Sequence, residues 1–342
     1  MAVALRSQGR VRRLAGEPVV SAYRISVDLG GRRLEFGMHV LTPQGPVEVS
    51  AADEAPNGPR GLPVVVDPDA CWWNLGDDSI EKFLARGVAL VRFDRTEVVD
   101  DPAATPGAGS ARRGGLHDLC HDSPFGAVAA WAWAIHRVVD AVGLLASGAA
   151  GGKLEPPPLD ATRLAVTGFS RGGKAALLAG ATDQRIGLVH AHASGAGGAA
   201  PFLLAGEGSE GLRVARAFPA WFGPQLAGFL GREAQLPVDQ HVLAAAVMPR
   251  PLLLTCGVED LWANPAGTAQ AALAAREVAL FLGEPEAVEM RVRQGGHHHG
   301  AEDWAELLRF LGNRWLGADE PSTWREATDG LEPSFAWRRP AV

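Results

Sequence analysis

Apolar and polar residues alternate along VVSAYRISVDL (19–29) and again along LEFGMHVLT (34–42), with Gly30 and Gly31 between the two segments. A period of two turns one face of a strand toward a core, and a glycine pair suits a tight turn, so these segments predict an antiparallel hairpin. The pattern then changes. LPVVVD (62–67), VALVRFD (88–94), RLAVTG (163–168), GLVHAHA (187–193), RPLLLTC (250–256) and AVEMRVR (287–293) are short and mostly apolar. Strands covered on both faces read this way. The longest helix candidate, 125–145, is apolar nearly all round, which predicts a helix packed between sheet and outer layer with Trp131 and Trp133 in the core. Stretches 100–115 and 147–158, rich in Gly, Ala and Pro, are expected as surface loops.

Strands alternating with helices predict a mostly parallel central sheet with an antiparallel N-terminal hairpin and helices on both faces, an α/β class in the α/β-hydrolase layout. The alternation lapses at about 197–237, expected as an insertion, and about 318–342 is expected as a C-terminal extension of a single domain covering 1–342. A chain of 342 residues, 47% hydrophobic, can bury a large core. Its formal net charge of −7 and pI of about 5.8 argue against a nucleic-acid partner. Three scattered cysteines suggest neither a disulfide framework nor a CxxC metal site. The arginines of 1–18 interrupt what a secretory signal would need, and no other stretch has about 18 consecutive apolar residues, so a cytoplasmic protein without a membrane partner is expected. No cofactor is called for.

The sharpest local signal is RLAVTGFSRGGKAALLAGA (163–181): a strand, then Gly168-Phe169-Ser170-Arg171-Gly172, then an Ala/Leu-rich helix. Small residues around the serine let a strand-to-helix turn tighten and push the hydroxyl out above the sheet, and the backbone N–H of Arg171 would face an oxyanion. Ser170 is therefore the candidate nucleophile. Serine needs a base and the base an orienting acid, expected downstream in the order Ser, acid, His. After the strand ending at Cys256 come Glu259 and Asp260; the Gly-x-x-Asp spacing favours Asp260, with Glu259 the alternative acid. After the last strand comes QGGHHHG (294–300), where His297 directly follows the glycines and is the candidate general base. Three adjacent histidines also raise a metal site, but sequence neighbours rarely converge on one ion without other ligands, and none is expected. His190, His192, His136 and His241 are read as satisfied packing histidines.

These segments together resemble the glucuronoyl esterases of carbohydrate esterase family 15, particularly the bacterial branch. The resemblance rests on 125–142, 166–186, 192–200, 236–254, 258–267 and 294–304, and Ser-Arg-x-Gly-Lys is far more specific than G-x-S-x-G alone. It implies that the Arg171 side chain also reaches the oxyanion, that Lys174 hydrogen-bonds sugar hydroxyls, and that Trp262 lines the sugar pocket. The activity it implies is hydrolysis of uronic acid esters, most specifically 4-O-methyl-glucuronoyl esters, through an acyl-enzyme, with a carbohydrate ester as substrate. The chain departs from many members at Ala193, where they carry a glutamate, and at Phe169, where a cysteine forms a disulfide. An esterase for a different small acyl or metabolite ester is the alternative within enzymes. A non-catalytic carbohydrate- or partner-binding relative is the alternative outside them.

Overall fold

The computed structural model describes residues 1–45, 54–55, 58–59, 61–101, 112–149 and 157–335. Nine strands form one sheet: β1 (Ala2–Arg10), β2 (Val19–Leu29), β3 (Arg32–Thr42), β4 (Leu62–Asp67), β5 (Ala89–Arg92), β6 (Leu159–Val166), β7 (Leu188–His192), β8 (Leu252–Gly257) and β9 (Val288–Arg293). Their order is β1-β2-β3-β5-β4-β6-β7-β8-β9. The pairs β1/β2, β2/β3 and β3/β5 run antiparallel, and every pair from β5 to β9 is parallel.

The hairpin forms as the alternation predicts, in full register from Val19 opposite Thr42 to Leu29 opposite Arg32. A third antiparallel strand precedes it. Along β1 only Val3 is buried, so this edge strand has no alternating pattern to betray it.

The parallel strands bury both faces. On β4, Val64 and Val66 join the cluster built around helix α2 (Ala127–Ala146), while Val65 joins the opposite one, with Phe83, Trp304 and Phe310. Phe83 belongs to helix α1 (Asp77–Ala85) and the other two to helix α5 (Ala301–Trp315). Helices α3 (Arg171–Thr182) and α4 (Pro265–Phe281) share the first face. Trp131 is fully buried and donates its Nε1–H to the Val99 carbonyl at 3.3 Å, whereas Trp133 is only partly buried. The helix Ala127–Ala146 is apolar and long enough to cross a membrane, but its interior position fits the core helix of this sheet.

Between β7 and β8 the chain makes only short helical turns, the longest being Gln240–Ala245. After α5 it returns over β9, where Thr323 Oγ1 donates to the Met290 carbonyl at 3.0 Å and the Arg276 guanidinium lies 4.4 Å from the Trp324 ring. Residues 102–111 and 150–156 of the two expected loops, and Trp337 of the tail, lie outside the described residues.

Candidate active site

Ser170 ends the strand-to-helix turn at φ 54° and ψ −120°, a backbone conformation that costs a serine energy and that a packed surrounding must hold. The turn extends the sheet beyond β6: Ser170 N–H donates to the His192 carbonyl at 2.8 Å, and His192 N–H to the Gly168 carbonyl at 2.9 Å. Both flanking glycines are sterically required. A Cβ on Gly168 would lie 2.3 Å from the Gly172 oxygen, and one on Gly172 would lie 2.2 Å from Asp69 Oδ1. Asp69, completely buried, fixes the turn from below by accepting the Phe169 N–H at 2.7 Å and Arg95 Nη1–H at 2.8 Å. Burial pushes its carboxyl up, with Arg95 opposing. As the first residue of α3, Arg171 has no carbonyl one turn back, so its N–H is available to an oxyanion.

The acid and histidine loops are stitched together. Val258 N–H donates to the Arg293 carbonyl at 2.8 Å, and Glu259 N–H to the Gly295 carbonyl at 3.1 Å. Across this seam Asp260 Oδ2 meets His297 Nδ1 at 2.6 Å, and His297 Nε2 lies 3.0 Å from Ser170 Oγ. The Asp260 carboxylate is buried; its other oxygen caps the helical turn Leu261–Ala263 by accepting Ala263 N–H at 3.2 Å. Glu259 is exposed and Ala193, buried, brings no carboxylate, so the acid facing His297 is Asp260. Arg293 holds the histidine loop, donating to Asp303 Oδ1 and to the His298 carbonyl, both at 2.7 Å.

The three histidines diverge. His298 is exposed, while His299 is buried against the Trp304 ring, with its Nδ1 2.9 Å from Asn74 Nδ2. Among the described residues no group of His, Cys, Asp and Glu has metal-holding geometry. Beneath the site, Thr255 Oγ1 bridges His190 Nε2 and His192 Nδ1 at 2.8 and 2.7 Å. Burial lowers these imidazoles, His190 to about 3 and His192 to about 4, and so keeps them neutral.

Lys174 departs from the sugar-binding expectation. It is 1% exposed, and its ammonium donates to the Ser194 and Ala196 carbonyls at 2.7 Å each and to Glu210 Oε2 at 2.6 Å. An ammonium has three protons, and all three are committed inside the protein. Glu210, itself buried, lies in the stretch between β7 and β8 that carries no periodic signal, so its role was not legible. Trp262, by contrast, is 43% exposed on the helical turn next to Asp260. The Arg171 side chain donates its Nε–H to Asp101 Oδ2 at 2.5 Å, which leaves its terminal nitrogens for an oxyanion. Asp69 and Asp101 went unread in the sequence; the one signal for Asp69 is its place just beyond the carboxyl end of a buried parallel strand.

A parallel sheet entered by antiparallel strands, with a serine on a strained strand-to-helix turn facing an acid and a histidine from the ends of β8 and β9, defines an α/β-hydrolase. The sequence model described as "Glucuronyl esterase, fungi" matches residues 25–283, and the chain belongs to this glucuronyl esterase family. A 4-O-methyl-glucuronoyl methylesterase of Podospora anserina is 31% identical over 255 residues, which are 72% of this chain and 47% of that protein. One from Schizophyllum commune is 34% identical over 317 residues, 89% of this chain and 72% of its own. The chain spans about half the length of the Podospora protein and of a similar prokaryotic carbohydrate esterase. Among solved structures, a carbohydrate esterase family 15 glucuronoyl esterase from Caldicellulosiruptor kristjansonii superposes with a TM-score of 0.71 at 30% identity, covering 87% of this chain and 77% of that one. A Sporotrichum thermophile glucuronoyl esterase mutant, in complex with methyl 4-O-methyl-β-D-glucopyranuronate, shares the fold at a TM-score of 0.68 and 24% identity, covering 94% and 77%.

Proposed function

We propose that the protein is a serine esterase that hydrolyses uronic acid esters, 4-O-methyl-glucuronoyl esters foremost, through an acyl-enzyme. The observation that carries this reading is the continuous relay Asp260–His297–Ser170, with contacts of 2.6 and 3.0 Å. In the first half-reaction Ser170 Oγ attacks the ester carbon while His297 Nε2 takes its proton. Asp260 holds the Nδ1–H tautomer and stabilises the imidazolium that forms. The Arg171 N–H and the free edge of its guanidinium stabilise the oxyanion. Collapse expels the alcohol with the proton from His297. In the second half-reaction water, deprotonated by His297, cleaves the acyl-enzyme and releases the uronic acid. Each lost oxyanion donor costs about 3 kcal/mol.

The methylesterases among its relatives, and the methyl glucuronate bound in the Sporotrichum structure, support the choice of acyl group. Trp262, exposed beside the acid, is the proposed sugar-facing ring. The engagement of Lys174 with Glu210 favours a second reading, an esterase for a smaller acyl group that needs no contact from this lysine. The two separate on rates: kcat/KM for methyl glucuronate well above that for p-nitrophenyl acetate supports the first, and the reverse order supports the second.

A further inference from the structure

Cationic and aromatic planes alternate through the protein beside Ser170. The Arg95 guanidinium lies 4.7 Å from the Trp131 ring and 4.3 Å from Trp72; Arg171 lies 4.8 Å from the same Trp72 and 5.3 Å from Trp221. Trp221 in turn stacks on Phe218 at 4.1 Å. Asp101 ties the two cations together, accepting from Arg95 Nη2 at 3.0 Å and from Arg171 Nε at 2.5 Å on one oxygen. Arg95, Asp69 and Asp101 are all essentially without solvent contact. Removing so many charges from water is expensive, and apolar residues would fill the same space at no such cost.

The geometry defines what this network fixes. Asp69 holds the N–H of the residue before Ser170, and Asp101 holds the side chain of the residue after it. A planar guanidinium held in contact with two rings and bonded through Nε is left one free edge, that of its terminal nitrogens. The Arg171 side chain is 18% exposed, so it is not sealed from the site mouth. We infer that Asp101, with Trp72 and Trp221, positions the Arg171 guanidinium so that its terminal nitrogens face the oxyanion formed at Ser170. None of the three touches the reacting atoms. The inference rests on the esterase reading of the site.

The test is chemical rescue combined with a double-mutant cycle, on methyl glucuronate and p-nitrophenyl acetate. Arg171→Ala is expected to lower kcat by about 100-fold with KM little changed. Asp101→Asn is expected to lower it by about tenfold or more, as loss of a charge-assisted hydrogen bond does. The double variant should be no worse than Arg171→Ala, because Asp101 acts through that side chain. Guanidinium ion at tens of millimolar should restore activity to Arg171→Ala and not to the double variant, a readout that a merely structural role would not move. Should Asp101→Asn fold poorly, Trp221→Leu touches Arg171 without touching Arg95; it should lower kcat alone and add nothing to Arg171→Ala. Losses that multiply, or equal rescue with and without Asp101, overturn the inference and leave the esterase reading standing. An Arg171→Ala protein with full kcat removes the oxyanion role of Arg171 and this inference with it. A Ser170→Ala protein with full activity is the separate failure of the esterase reading.

Discussion

Replacing Asp260 by asparagine separates the two things its carboxylate does. One oxygen accepts Ala263 N–H at 3.2 Å and caps a helical turn; the other meets His297 Nδ1 at 2.6 Å. Asparagine caps about as well as aspartate, so its oxygen can keep the first contact and the unfolding free energy should change by less than about 1 kcal/mol. Its amide nitrogen then takes the second position and donates to Nδ1, which moves the imidazole proton to Nε2. That nitrogen lies 3.0 Å from Ser170 Oγ and must accept its proton. The base is thus lost with the fold intact, and kcat should fall by about 10⁴-fold, or about 5.5 kcal/mol of barrier. Glu259→Gln, at an exposed position, should do nothing to either quantity. The assay is ester hydrolysis under saturating substrate together with thermal and urea unfolding of all three proteins. A kcat for Asp260→Asn above a tenth of the unmutated value would refute the reasoning, as would transfer of the loss to Glu259→Gln.

Lys174→Met should destabilise the fold by about 3–5 kcal/mol, because it leaves the buried Glu210 carboxylate without its partner, and adding Glu210→Gln should recover part of that loss in urea unfolding. If Lys174 were instead a sugar ligand, KM would rise and stability would hold. Gly172→Ala should cost at least about 1–3 kcal/mol and most of kcat, since its Cβ would stand 2.2 Å from Asp69 Oδ1; wild-type kinetics would mean that the turn relaxes freely. Acid should weaken the fold through His190 and His192. Their folded values, about 3 and about 4, lie below the ordinary 6.5, so the unfolded chain binds protons first and stability falls as pH drops from about 6.5 toward about 4. At pH 5 each contributes about 2 kcal/mol of loss, and because burial also lowers His299, His190→Gln should flatten the urea midpoint against pH only in part.

The turn around Ser170 was legible because its determinants are local: an apolar run, two glycines where a Cβ cannot fit, and a helix former. Asp260 and His297 were legible because a parallel sheet brings the loops that follow β8 and β9 to the same end as that turn. What escaped depends on pairings that no sequence window contains. Arg95, Asp69 and Asp101 are charged residues of a kind expected at the surface, and only the packed structure reveals that each offsets the burial of another. The resemblance implied a sugar contact for Lys174, and its actual partner Glu210, 36 residues downstream, lies in a stretch without periodicity that gave no sign of the pairing. Strand β1 was invisible for the opposite reason, since a polar edge strand buries too little to leave a pattern. The alternative acid Glu259 could be set aside only when Asp260 was found facing His297.

The most direct test of the account is to treat the unmutated protein and Ser170→Ala with a fluorophosphonate, locate the label by peptide mass, and follow both proteins with methyl glucuronate. The account predicts one label, on Ser170, none on Ser170→Ala, and hydrolysis confined to the unmutated protein. A label elsewhere, or a Ser170→Ala protein that cleaves the ester at the unmutated rate, contradicts it.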